Sequence, residues 1–213
     1  MRRRGFRSAL ESYFQRRAAI YILVLIIFVM GSFFGTLAVN IINESQQAAL
    51  TYRLNSFFDG VSQVSTGAVS LDSLKTVTFS QILKLVGVIW ILGLSLVGSP
   101  LILLVVFTRG FILGFTTGFI VKKLGLKGVL MALAALLPQN LFYIPAVIII
   151  GVAGIAFTMS FIRSWHRREE GLGLQFVGYT LVAVFCSLLM AGGALVESYA
   201  TPYLITWLNG LLG

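Results

Sequence analysis

Apolar positions along this chain come in long unbroken runs, not in the alternation or spaced stripes of a water-soluble fold. Residues 18–42 form the first run. A helix needs about 20 apolar residues to cross about 30 Å of hydrocarbon, so this run spans with room to tilt. It exceeds the core of a cleavable signal and no small-x-small site follows, so it is expected to stay as the first span. Polar residues dominate 43–80, and a second run, 82–107, ends at Arg109 with Pro100 as an expected kink.

The middle of the chain divides less cleanly. Residues 110–121 are apolar but only twelve long, "KKLGLK" follows, and the apolar-rich stretch 128–162 is then too long for one crossing. In one threading 110–121 crosses outward, leaves Lys122, Lys123 and Lys127 outside, and 128–162 returns as a long tilted or broken helix. In the other, both pieces are re-entrant hairpins and the lysines stay near the cytoplasm. The final run is 176–199. The expected architecture is all-α, a polytopic integral membrane protein forming one membrane domain over 1–213. It has about five transmembrane helices (18–42, 82–107, 110–137 short or broken, 141–162, 176–199), a broken or re-entrant central region and an external loop, 43–80.

Within the central region, "LLPQNLFYIP" places Pro138, Gln139, Asn140 and Pro145 where a lipid-facing helix should continue. Each proline lacks an N–H and so frees a carbonyl one turn upstream, with no water in the hydrocarbon to satisfy it. The two amides are expected to cap those carbonyls or bond a neighbouring helix. The segment reads as a helix break packed against protein, or as a broken helix lining a midplane site of the kind transporters use.

Composition sharpens the class. The chain is 58% hydrophobic and 11% charged, with mean hydropathy +0.95, against about 25% charged residues in soluble domains. Its net charge of +9 is distributed as topology requires. Six arginines (Arg2, Arg3, Arg4, Arg7, Arg16, Arg17) precede the first run, and Arg163, Arg167 and Arg168 follow the fourth. The positive-inside rule then predicts a cytoplasmic N-terminus and an external C-terminus, and no nucleic-acid partner. Lys84 and Arg109 are expected at span ends, where long cationic side chains snorkel, and Glu197 near the outer end of the last span. Cys186, the one cysteine, reads as a packing residue.

Two patterns point to contacts. Gly31 and Gly35 stand four apart in the first run, and Gly110, Gly114 and Gly118 four apart after Arg109. Such spacing lets helices approach closely, within one bundle or in a homo-oligomer. In "ALTYRLNSFFDGVSQV", Leu50, Leu54, Phe57, Phe58 and Val61 share one helical face in an otherwise polar loop. That face can lie in the outer interface of the lipid bilayer or dock a partner. Catalytic groups do not assemble: there is no HExxH, no pair of aspartates in spans, no phosphate-binding glycine loop, and His166 is the sole histidine. No catalytic residue, cofactor or metal is expected.

Seven segments in order, "MGSFFG", "LNSFFDG", "GLSLVGSPLIL", "RGFILGFTTGFIV", "LLPQNLFYIPA" and "VESYATP" after a basic N-terminus, resemble the stage II sporulation protein M family along nearly the whole chain. The broader membrane family often carries a histidine-glycine pair and a glutamate after the equivalent leucine-proline. Gln139, Asn140 and Tyr143 stand there instead. The resemblance implies a role in engulfment during endospore formation, in the mother-cell membrane at the septum. There the protein would be a non-catalytic membrane anchor for two peptidoglycan hydrolases, a lytic transglycosylase and an amidase/endopeptidase. The docking residues expected on that basis are Leu50, Leu54, Phe57 and Phe58 in the loop, with Glu197, Tyr199 and Pro202 near the end of the chain. The rival expectation is a small transporter or channel subunit using the Pro138–Pro145 break. A weaker third is an intramembrane hydrolase.

Overall fold

A computed structural model describes residues 3–65, 71–95, 97–167 and 172–212, with side chains over 18–53, 56, 80–95, 97–163 and 173–197. All elements among these are helices: α1 (Arg3–Ala38), α2 (Glu44–Ser65), α3 (Leu71–Gly93), α4 (Gly98–Arg167) and α5 (Leu172–Leu212). By length and composition three are long and apolar enough to cross a membrane, within α1, α4 and α5. Large apolar side chains point outward all along them, such as Phe33 at 61% and Leu188 at 67% exposure. Only a hydrocarbon surround makes that arrangement stable.

Local sequence sets each boundary. After α1, Asn40 and Ile41 donate to the Leu37 and Ala38 carbonyls at 3.0 and 3.1 Å, tightening the last turn. Lys122 reaches across from α4 and donates to the Val39 carbonyl at 3.0 Å. The polar stretch that follows starts α2 with a capping box, since the Gln46 side chain accepts the Asn43 N–H at 3.3 Å. Helix α3 closes at Gly93 with two short i→i+3 bonds, Leu94 to Ile91 and Ser95 to Leu92. The expected span 82–107 is therefore two elements. Pro100 lies in the first turn of α4, where its missing N–H has no partner to lose, and does not kink a span.

The central region also departs from expectation. The backbone stays helical through Pro138 and Pro145, and the non-helical residue is Gly125, with φ 59° and ψ −136°. There α4 folds back on itself. Gly98 faces Thr158, Gly154 faces Ile102, Gly151 faces Val106, and Arg109 faces Tyr143, so residues 98–124 and 126–167 run antiparallel as two arms of a hairpin. The expected span 110–137 therefore runs across the reversal and is divided between both arms, and 141–162 is part of the second arm. Sequence reading favoured a break at proline because Pro deletes a hydrogen bond. A reversal instead needs a φ and ψ that L side chains rarely adopt, which glycine supplies.

Helix α1 lies along the first arm in the same direction: Phe28 meets Gly110, Gly35 meets Phe111 and Val39 meets Lys122. Helix α5 runs antiparallel to the second arm, with Phe157 stacked on Tyr179 at 5.1 Å and Phe142 against Gly193. The bundle thus has a near end (Ala18, Gly93, Gly98, Thr158, Tyr179) and a far end (Val39, Lys122, Lys127). Val24, Ile89, Ile102, Ile150, Ile155 and Met190 are fully buried between the helices. Helix α2 packs on α5.

Candidate functional site

The closest helix contact fixes where the polar groups fall. A Cβ at Gly31 or Gly35 would overlap the Phe107 or Phe111 carbonyl, and one at Gly110 or Gly114 the Phe28 or Ser32 carbonyl. The two glycine rows thus join α1 to the first arm of α4 at backbone distance. Gly118 continues the row against Thr36 and Val39. Thr36 adds a bond across the seam, its hydroxyl lying 3.1 Å from the Gly114 carbonyl and 3.0 Å from that of Ser32. On the adjacent face Phe107, Phe111, Phe115 and Phe119 form a ladder with centroids 6.3–6.5 Å apart.

Beside this seam, between α1 and the two arms, lies a cleft of about 320 Å³. Its walls are mostly apolar, with Ser32, Thr36, Thr117 and Asn140 as the polar positions. The threonine hydroxyls and the Asn140 amide bond backbone carbonyls of their own helices, Thr117 to Leu113 at 2.9 Å and Asn140 to Leu136 at 2.7 Å. Asn140 therefore does not cap Ala134 or Leu141, the carbonyls freed by Pro138 and Pro145. Pro138 is buried, Gln139 and Asn140 are half-buried, and Pro145 is exposed.

The stripe that lines the cleft continues downward. One turn from Leu113 is Arg109, and one turn from Asn140 is Tyr143; the Arg109 guanidinium sits 6.0 Å from the Tyr143 ring centroid. Arg109 lies 11 residues past Gly98 and 13 before Lys122, about 16 and about 20 Å along the arm at 1.5 Å per residue. It stands midway along the first arm, not at a helix end as expected from sequence. The reason is the position of the helix start: with Gly98-Ser99-Pro100 opening α4, Arg109 is interior. The "GSP" start signal was in the sequence and could have shown this.

An arginine at the centre of a membrane helix costs about 2.5–3.5 kcal/mol by insertion measurements. A cation–π contact near its distance limit returns about 2 kcal/mol or less. Among the described residues no carboxylate pairs with Arg109. Lys84 on α3 is exposed, nine residues before Gly93.

The other expected residues fall elsewhere. Leu50 is half-buried on α2 and Glu197 half-buried on α5, far from each other along the chain. The side chains of Leu54, Phe57, Phe58, Tyr199 and Pro202 lie outside the described residues. Cys186 is fully buried in the core. Among the described residues no group of three His, Cys, Asp or Glu could hold a metal ion.

Outward apolar faces, glycine-mediated backbone contact and hydroxyls that bond carbonyls in the interior define a polytopic helical membrane protein. The family model of stage II sporulation protein M matches residues 24–202, and the chain belongs to that family. No curated protein and no solved structure matches it.

Proposed function

We propose that this protein is a non-catalytic scaffold of the sporulation septum. It would sit in the mother-cell membrane and hold peptidoglycan hydrolases, a lytic transglycosylase and an amidase/endopeptidase, where engulfment remodels the wall. The observation that carries the reading is the family match over 24–202. The helices support five crossings: α1, α3, the two arms of α4, and α5. Helix α3 needs its full 23 residues for this, about 35 Å, because only Ser80–Gly93 is strongly apolar. The arginine-rich start of α1 and Arg163 at the near end put that end in the cytoplasm by the positive-inside rule. The lysines of the Gly125 turn, α2 and Glu197 then face outward, on the side where wall lies.

Affinity purification of a tagged copy from solubilised membranes of sporulating cells tests the scaffold reading. Both hydrolases should co-purify near stoichiometry. The variant Phe57→Asp with Phe58→Asp should remain inserted yet lose them if α2 is the docking element. Recovery of neither hydrolase with the unaltered chain contradicts the proposal. Recovery of an ATPase in their place would favour the second reading, a small transporter or channel subunit, for which the cleft at Asn140 is the supporting feature.

A further inference from the structure

Among the described residues no carboxylate pairs with Arg109, whose guanidinium meets only the Tyr143 side chain there. Arg109 is half-buried, faces Tyr143, and lies one helical turn below Leu113, the nearest lining residue on its own arm of the groove between α1 and the arms of α4. Ionisable groups within spans face the bundle interior or a water-filled cavity and pair with an opposite charge or with backbone carbonyls. The groove is lined mostly by Leu, Val and Ala, and its two threonine hydroxyls and the Asn140 amide nitrogen already bond carbonyls, which leaves few polar groups to hold water beside Arg109. Along its rim Leu133, Leu137 and Leu141 are exposed at 50%, 51% and 65%, at i, i+4 and i+8 of the second arm. A ridge at that spacing beside a groove is the relief into which another helix packs.

Depth selects the occupant. Lipid phosphates lie about 15 Å from the midplane, half the hydrocarbon thickness, whereas a spanning helix carries a side chain to any depth its sequence specifies. A second copy of this chain brings no carboxylate to the level of Arg109. Glu197, the acid within its apolar spans, lies four residues beyond Gly193, which packs at Phe142 and Gln139, so it stands about 6 Å closer to the far end. We propose that the groove between α1 and the α4 hairpin docks a transmembrane helix of a partner protein that carries an aspartate or glutamate at mid-depth, paired with Arg109. This deepens the scaffold reading by naming how a membrane-anchored partner is held, and rests on that reading only for the partner's identity.

The test needs no hydrolase, so its failure is separate from failure of the scaffold reading. The full chain, labelled with a fluorescence donor, is placed in phosphatidylcholine vesicles with an acceptor-labelled polyleucine helix bearing one central aspartate, or leucine at that position. The aspartate helix should associate with the unaltered chain about tenfold more tightly than the leucine helix. Arg109→Met should abolish the difference, and Arg109→Lys should keep most of it. Equal association of the two helices with the unaltered chain overturns the proposal whether or not the variants fold. So does an aspartate preference that survives Arg109→Met. Loss of association when phosphatidylglycerol is added would assign Arg109 to lipid phosphate instead. Energy transfer between copies of this chain that disappears in Arg109→Met would assign it to self-association. Either outcome also overturns the proposal.

Discussion

Single hydroxyls do much of the work that water does elsewhere. Thr158, buried completely, donates to the Gly93 carbonyl at 2.9 Å, and Tyr179 donates to the Ile89 carbonyl at 2.8 Å. Gly93 is the last residue of α3, and its carbonyl has no helical partner once the chain turns away at Leu94, whereas Ile89, one turn earlier, takes the Tyr179 bond in addition to its place in the helix. Trp90 adds a bond to Thr180 at 3.2 Å, so α3 is tied to both α4 and α5 at the near end. Thr158→Val keeps the shape and deletes the donor. It should cost about 1–3 kcal/mol, the penalty of a buried carbonyl left unsatisfied, read as a lower melting temperature of the purified protein in detergent. An unchanged melting temperature would show that the bond contributes nothing. None of these partners was legible in the sequence, where Thr158 and Tyr179 are two polar residues in apolar runs. The glycine rows were legible as contact surfaces because their spacing fixes one face. Their partner was not, since spacing holds equally for a neighbour in the same chain and one in another. Arg109 was read as a span end because a charge normally stops an apolar run.

At the scale of elements, the decisive residue is Gly125. A Cβ there would meet no atom within 4 Å, so substitution is opposed by backbone conformation alone. With φ 59° and ψ −136°, Gly125→Ala should cost about 1–3 kcal/mol. It should lower both the amount of protein in the membrane and its thermal stability, while Gly87→Ala, equally open and at ordinary helical φ, should change neither. Equal effects of the two changes would remove Gly125 from its role as the reversal point. The apolar runs gave five candidate helices; among the described residues three helices, α1, α4 and α5, are long and apolar enough to cross a membrane, and α4 is folded into two arms. The limits of the candidate helices shifted for two reasons. The Gly93–Gly98 turn is short and has no charge to announce it. The two prolines, more conspicuous, are absorbed within a helix whose neighbours pack against it. Helix α2, by contrast, was readable as a helix, and its start carries a signal in the Asn43–Gln46 pair.

For the whole molecule, the direction of each helix decides which groups share an end. Helix α1 and the first arm of α4 run parallel, the second arm returns and α5 runs out again. The near end then gathers the basic ends of α1 and α4, and the far end gathers the Gly125 turn, the start of α2 and Glu197. The proposed scaffold function depends on the far end being outside, because the wall on which the proposed hydrolase partners would act is there. Cysteine labelling of intact cells tests this directly, and the protein suits it: Cys186 is the one native cysteine and is fully buried. Lys123 and Arg163 are both exposed, at opposite ends of the α4 hairpin. With a membrane-impermeant maleimide, Lys123→Cys should label in intact cells and Arg163→Cys only after the membrane is opened. Labelling of Arg163→Cys in intact cells, or protection of Lys123→Cys until lysis, would contradict the account.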